Sequence, residues 1–284
     1  MELSKRLKAV ADLVSAGSVV CDAGCDHGYV PIYLVGSGIC RRAIASDVRE
    51  GPLSCARENI SAFGLEEYIE TRLSDGVSAL EAGEADALIL AGMGGRLVIK
   101  ILTEGRTVVR SMRELILQPQ SDIALVRAFL REEGYRIVSE DMVYEDGKYY
   151  PMMKVTVLSQ NPGSGTPEKE DAKMAAGADG EDVLRRQAFD RYGGYLLAHR
   201  HPVLRQFLLW EQERERAILQ SLTADTRRNQ GNTGTENADA ARRNQEDAAG
   251  TPDRNARRVQ ELLAAEQVRA YALSYYEGRG VEEP

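Results

Sequence analysis

Three features of the 284-residue sequence predict an α/β fold with an open, largely parallel sheet and a separate helical element at its C-terminal end. Short apolar runs alternate with helical patterns over residues 1–158. Acids and glycines recur just after those runs, where strands give way to helices in folds of this class. From Val183 onward the strand patterns stop and long helical patterns take over.

The elements follow in order. Residues 3–14 read as an amphipathic helix with Leu3, Leu7, Val10 and Val14 on one face. Strand 18–22 leads to helix 30–37, whose first turn suits Pro31. Strand 42–46 and helix 51–63 come next, then strand 67–73 and a turn at Ser74-Asp75-Gly76. Residues 86–91 form a fourth strand, followed by Gly92-Met93-Gly94-Gly95 and helix 96–103. Residues 114–117 form a fifth strand, ending at Gln118-Pro119-Gln120 before helix 122–132. Residues 135–138 and 154–158 close the sheet as a hairpin across Asp146-Gly147.

Residues 159–182 are rich in Gly, Pro, Ala, Asp and Glu without periodicity and read as a flexible linker. Residues 184–222 are mostly helical, with breaks at Tyr192-Gly193-Gly194-Tyr195 and at Pro202. Residues 223–253 read as a disordered loop and 255–276 as a second helix. Residues 183–284 are therefore expected to form a helical hairpin or short coiled coil.

Composition narrows the class. The chain is 43% hydrophobic and 28% charged, enough for one sizeable core with an appendage. No apolar run approaches the ~20 residues of a membrane span. The first six residues are charged and lack a signal-peptide core, so a cytoplasmic location and no membrane partner are expected. Cys21, Cys25, Cys40 and Cys55 have no second pair at zinc-finger spacing, so neither a metal nor a disulfide is expected. A net charge of −8 argues against non-specific coating of nucleic acid but leaves room for local basic patches.

The densest chemistry lies in Cys21-Asp22-Ala23-Gly24-Cys25-Asp26-His27-Gly28-Tyr29. This stretch joins a buried strand to a helix, at the point where doubly wound folds bind nucleotide-like ligands. About twenty residues on, Asp47 ends the second strand, where a carboxylate can accept hydrogen bonds from both hydroxyls of a ribose. The glycine spacing is Gly24-x-x-x-Gly28, not the GxGxxG that lays a pyrophosphate on a helix. Asp22 and Asp26 would repel a pyrophosphate and suit a cation, which favours S-adenosyl-L-methionine (SAM) over NAD. Both acids could also serve simply as helix caps.

Parallel strand ends converge on one crevice, which gathers Asp22, Asp47 and Asp75. Asp75 is placed for the exocyclic amine of an adenine. Gly76, Ala91, Gly92, Met93, Gly94 and Gly95 would let backbone approach a ligand closely, or would merely start a helix. His27 reads as a candidate base or a solvated loop residue. Gln118 and Gln120 could read a base edge or cap the next helix. Lys5, Arg6 and Lys8 on the first helix, Arg185, Arg186, Arg191, Arg200 and Arg205, and Arg254, Arg257 and Arg258 could meet phosphates or form ordinary solvated faces. Tyr29, Tyr149 and Tyr150 are the candidates for base stacking.

Several motifs in order resemble the bacterial TrmK family over residues 1–158: Leu3-Ser4-Lys5-Arg6-Leu7, Asp26-His27-Gly28-Tyr29, Ala45-Ser46-Asp47, Ala91-Gly92-Met93-Gly94-Gly95, Leu117-Gln118-Pro119-Gln120-Ser121 and Glu145-Asp146-Gly147-Lys148-Tyr149-Tyr150. Cys25 stands where a Thr is expected. The resemblance implies a Rossmann-like class I SAM-dependent methyltransferase with a C-terminal coiled-coil domain. The implied substrate is N1 of adenosine 22 in the D-arm of tRNA. It implies SAM contacts at Asp22, Gly24, Asp26, Gly28, Asp47, Asp75, Gly76, Ala91, Gly92 and Met93. The target base is expected near Asp26, His27, Tyr29 and Gly94, and tRNA at Lys5, Arg6, Lys8, Arg185, Arg186 and Arg200. The working unit is expected to be a monomer. Three other readings are a methyltransferase for a small molecule or protein, a non-enzymatic nucleotide-binding module, and a NAD-linked oxidoreductase.

Overall fold

The computed structural model describes residues 1–157, 180–231 and 254–277. Seven strands build one sheet: β1 (Val19–Ala23), β2 (Arg42–Asp47), β3 (Ile69–Leu73), β4 (Ala87–Gly94), β5 (Glu114–Ser121), β6 (Arg136–Glu145) and β7 (Lys148–Thr156). Their order is β3-β2-β1-β4-β5-β7-β6. β1 to β5 run parallel, and β7 is antiparallel to both β5 and β6. The order reverses between β1 and β4, so the ends of these two strands open the crevice of the sheet.

Side-chain alternation along the strands divides the core into two layers. Val20, Ala43, Ala45, Ile89 and Ile116 face α1 (Lys5–Asp12), α2 (Tyr29–Gly36) and α3 (Glu50–Ala62). Cys21, Leu88, Leu90, Leu115 and Leu117 face α4 (Gly95–Glu104), α5 (Arg106–Val109) and α6 (Ile123–Glu132). The start of α1 is fixed twice: the Ser4 hydroxyl accepts the Leu7 N–H, and Glu145 Oε1 accepts the Lys5 N–H at 2.6 Å. That second bond ties α1 to the tip of the β6–β7 hairpin. Asp146 and Gly147, at φ 48° and 76°, make the tight turn that an Asp-Gly pair favours.

Four more helices follow: α7 (Gly180–Tyr192), α8 (Gly194–Ala198), α9 (Pro202–Gly231) and α10 (Arg254–Ser274). Arg269 of α10 pairs with Glu215 of α9, and the Tyr276 hydroxyl donates to the His201 carbonyl at 3.0 Å. The end of one helix therefore lies beside the start of the other, so they run antiparallel. Ala188, Tyr192, Leu196, Leu204, Leu208 and Ala272 form their core, and Met142 of β6 joins it.

A buried ion pair fastens this lobe to the sheet. Arg127 of α6 and Glu140 of β6 have side chains only 3% and 1% exposed, and Arg127 Nε donates to Glu140 Oε1 at 2.8 Å. Arg127 Nη1 also donates to the carbonyls of Asp190 and Arg191 at the end of α7, and Glu140 Oε2 accepts the Tyr195 N–H at the start of α8. The pair thus satisfies two helix ends with charges of the favourable sign. Gly193 joins those helices at φ 95°, where a Cβ would lie 2.5 Å from the Glu140 carboxylate.

Several boundaries differ from the sequence reading. β4 continues through Gly92-Met93-Gly94 and β5 through Gln118-Pro119-Gln120-Ser121, segments read as loops. The two strands keep pairing beyond Ala91 despite glycine and proline, with register shifts at Met93 and Gly94. The closing hairpin is longer than residues 135–138 and 154–158. The short helix α5 has no sequence signal beyond the preceding Gly105. Residues 223–231, assigned to a disordered loop, extend α9, and 180–182, assigned to the linker, begin α7. The rest of both segments, residues 159–179 and 232–253, lies outside the described residues.

Candidate active site

The loop after β1 is held open by backbone geometry. Gly24, Asp26 and Gly28 all adopt left-handed φ, at 81°, 50° and 73°. The N–H groups of Gly24 and Cys25 donate to the Ser46 carbonyl at 2.7 and 2.9 Å, which pins the loop to the end of β2. Asn59 Nδ2 donates to the His27 carbonyl at 2.9 Å. A Cβ on Gly24 would lie 2.6 Å from the Met93 methyl group, and one on Gly28 3.2 Å from Ala56.

A cavity of about 550 Å³ opens over these strand ends. It brings together Asp22, Gly24, Asp26, His27 and Tyr29 after β1, Asp47 after β2, Asp75 and Gly76 after β3, and Ala91, Gly92 and Met93 on β4. Gly28 is not among its lining residues; its left-handed turn lets α2 begin against α3. Gly94 also lies outside the lining, exposed beside Ser121 at the start of α4. Sequence reasoning missed Val48, Leu97 and Ile101, which give the cavity apolar walls, while Ser74 of the turn after β3 adds a hydroxyl. Val48 is 60% exposed directly after Asp47, an apolar residue at a strand end that was a usable signal.

The electrostatics are lopsided. Asp22 is 4% exposed, and among the described residues its carboxylate has neither a hydrogen-bond donor nor a cationic partner. Burial, and secondarily the neighbouring Asp47 carboxylate, push its pKa up to about 7. Asp47 is better served, accepting the Arg49 N–H at 2.9 Å. Asp75 lies 3.7 Å from Lys100 Nζ. Burial raises the Cys25 thiol well above the usual cysteine range, so it is a poor nucleophile here. The His27 and Tyr29 rings stack with centroids 5.4 Å apart and are both substantially exposed.

The basic residues scatter. Arg6 lines the cavity, whereas Lys8 pairs with Asp12 and lies 5.5 Å from the Tyr33 ring. Lys5 is exposed at the hairpin tip, Arg185 pairs with Asp182 at 3.0 Å, and Arg186 and Arg200 are exposed. Gln118 neither reads a base edge nor caps a helix. It is fully buried and holds the Gly92 N–H and Arg6. Gln120 lines the cavity.

A doubly wound sheet with an acid-lined cavity at its switch point defines a methyltransferase-domain protein, and a family profile for methyltransferase domains matches residues 3–153. A Bacillus subtilis tRNA (adenine(22)-N(1))-methyltransferase is 38% identical over 153 residues, covering 54% of this chain and 64% of that relative. The aligned chain thus spans just under two thirds of that relative's length. Streptococcus pneumoniae Sp1610, described as a candidate tRNA (m1A22) methyltransferase, is 30% identical with a TM-score of 0.71, covering 96% of this chain and all of that one. The crystal structure of B. subtilis TrmK superposes with a TM-score of 0.70 at 26% identity, covering 96% and 99% of the two chains. The chain belongs to the TrmK family.

Proposed function

We propose that the chain methylates N1 of adenosine 22 in the D-arm of tRNA, with SAM as methyl donor. The observation that carries this reading is the buried Asp22 carboxylate, left without a cation in a cavity of cofactor size in a member of this family. SAM supplies an electrophilic methyl group on a sulfonium together with an ammonium group. The residues fit it. Asp22 would pair with the ammonium, Asp47 with the ribose hydroxyls and Asp75 with the adenine amine. Gly24 and Gly92 leave room for backbone approach, and Val48 and Ile101 for apolar contact with a flat ring.

N1 of adenine carries a lone pair, so its attack on a methyl carbon needs no base to create the nucleophile. The chain's task is to unstack the base and align it. The stacked His27–Tyr29 pair at the cavity is the platform for that base, and Asp26 faces the positive charge that the adenine gains. Asp26→Asn is expected to lower kcat about tenfold with SAM affinity within about twofold. Equal losses in both would remove Asp26 from the transfer step. Lys5, Arg6, Lys8, Arg185, Arg186 and Arg200 are the proposed tRNA contacts. Residues 1–158 are taken as the catalytic domain, 183–284 as the RNA-facing lobe, and the working unit as a cytoplasmic monomer.

Methyl transfer from labelled SAM to unmodified tRNA transcripts, followed by nucleoside analysis, tests the reading. The expected product is N1-methyladenosine, lost when adenosine 22 is replaced. SAM binding with no methylated nucleoside would redirect the search to a small-molecule or protein substrate.

A further inference from the structure

Most inward-facing arginines here meet carboxylates. Arg72 lies between Glu70 and Glu84, Arg127 against Glu140, and Arg191 and Arg269 against Glu211 and Glu215. Arg6 is different: among the described residues it has no ion-pair partner, and both of its contacts are neutral. Its Nη1 donates to Gln118 Oε1 at 3.1 Å, and its guanidinium carbon lies 5.6 Å from the centre of the Tyr150 ring.

Gln118 is buried completely, and its Oε1 also accepts the Gly92 N–H at 3.0 Å. Two donors converging on one oxygen fix the amide's orientation and leave Nε2 buried without a partner. Gly92 sits where the pairing of β4 with β5 shifts register, so this side chain supplies an acceptor that the ladder does not. A carboxylate at position 118 would accept both bonds more strongly, but it would cancel the charge on Arg6. The amide holds the guanidinium and spares its charge. Among the described residues Arg6 thus has no directly paired carboxylate, although it lines the cavity that holds Asp22, Asp26, Asp47 and Asp75.

We propose that Arg6 receives the phosphate of the nucleotide whose base enters the cavity, and that Gln118 is the positioning residue that keeps Arg6 aimed and charged. The proposal rests on the tRNA reading above. An anion is the ligand that a guanidinium with neutral partners favours, and in an RNA that anion is the phosphodiester.

The test uses the full chain with Gln118→Glu and Arg6→Gln, an unmodified tRNA transcript, and SAM binding by calorimetry as the control for folding and cofactor. Both variants are expected to hold SAM affinity within about twofold and to raise KM for tRNA about tenfold, with kcat within about threefold. The dependence of log KM on log salt should flatten by about one phosphate's worth. Gln118→Glu sets a carboxylate opposite Arg6 and Arg6→Gln removes the guanidinium outright; a phosphate contact predicts that both flatten the salt dependence while SAM binding holds, which a merely structural disturbance would not do. Unchanged KM or salt dependence in either variant overturns the proposal. So does a parallel loss of SAM binding, which would assign Arg6 to the cofactor. If the wild type modifies no tRNA, the underlying reading fails and the phosphate contact falls with it. Wild-type transfer with unmoved variants sinks the phosphate contact alone.

Discussion

Replacing Asp22 by Asn is expected to stabilise the ligand-free protein at pH 8 while weakening SAM binding about a hundredfold. The sign follows from proton linkage. An unfolded aspartate releases its proton near pH 3.8, whereas the buried Asp22 holds its own up to about pH 7. The unfolded state therefore binds fewer protons between those values, and the fold loses stability as pH rises through that window. The loss is complete above about pH 7 and is on the order of 4 kcal/mol. Asn removes it, so thermal unfolding of the variant at pH 8 should occur several degrees higher than that of the wild type, with the difference gone near pH 4. Binding of a cationic ligand reverses the logic, because it requires the ionised carboxylate. Wild-type SAM affinity should tighten as pH rises toward 7, approaching tenfold per unit below that value, and the Asn variant should lack this dependence. A variant that binds SAM normally and melts where the wild type melts would remove Asp22 from the cofactor site.

The second large effect belongs to the junction between sheet and helical lobe. Arg127→Met leaves Glu140 buried and unpaired, and is expected to cost about 3–5 kcal/mol. Arg127→Met with Glu140→Leu removes both charges, and the double variant should recover much of that loss. The double variant also gives up the bonds to the Asp190 and Arg191 carbonyls and to the Tyr195 N–H, so recovery should stop short of wild type by about 1–2 kcal/mol. Gly193→Ala attacks the same point sterically and should be as damaging as the single charge removal. Chemical denaturation of the four proteins measures all three terms. A double variant as unstable as Arg127→Met would show that the lost helix-end bonds, and not the unpaired Glu140 charge, account for the damage.

The sequence announces what is local. Asp22, Gly24 and Gly28 are legible because a strand, an acid and left-handed glycines follow one another within eight residues. The Asp146-Gly147 turn is legible for the same reason. Gly92 to Gly94 and Gln118 to Gln120 mislead, since glycine and proline read as loops until each strand finds the other beside it. The Arg6–Gln118 contact spans 112 positions and the Arg127–Asp190 contact 63, so no spacing rule could pair them. Gly193 reads as a helix break, which it is. That it makes room for a carboxylate from β6 becomes visible only once the sheet and the helices meet.

A lobe whose helix ends are seated on a buried ion pair of the sheet domain behaves as a ruler and not as a lid. The span between the cavity and the helical arm is set by those contacts, because moving the arm would strip the buried Arg127–Glu140 pair of its bonds to the Asp190 and Arg191 carbonyls and to the Tyr195 N–H. An RNA that bridges the two must do the bending itself. Recognition would then reward molecules already curved to the gauge, and a stiff duplex carrying the same adenosine should be turned away for its shape.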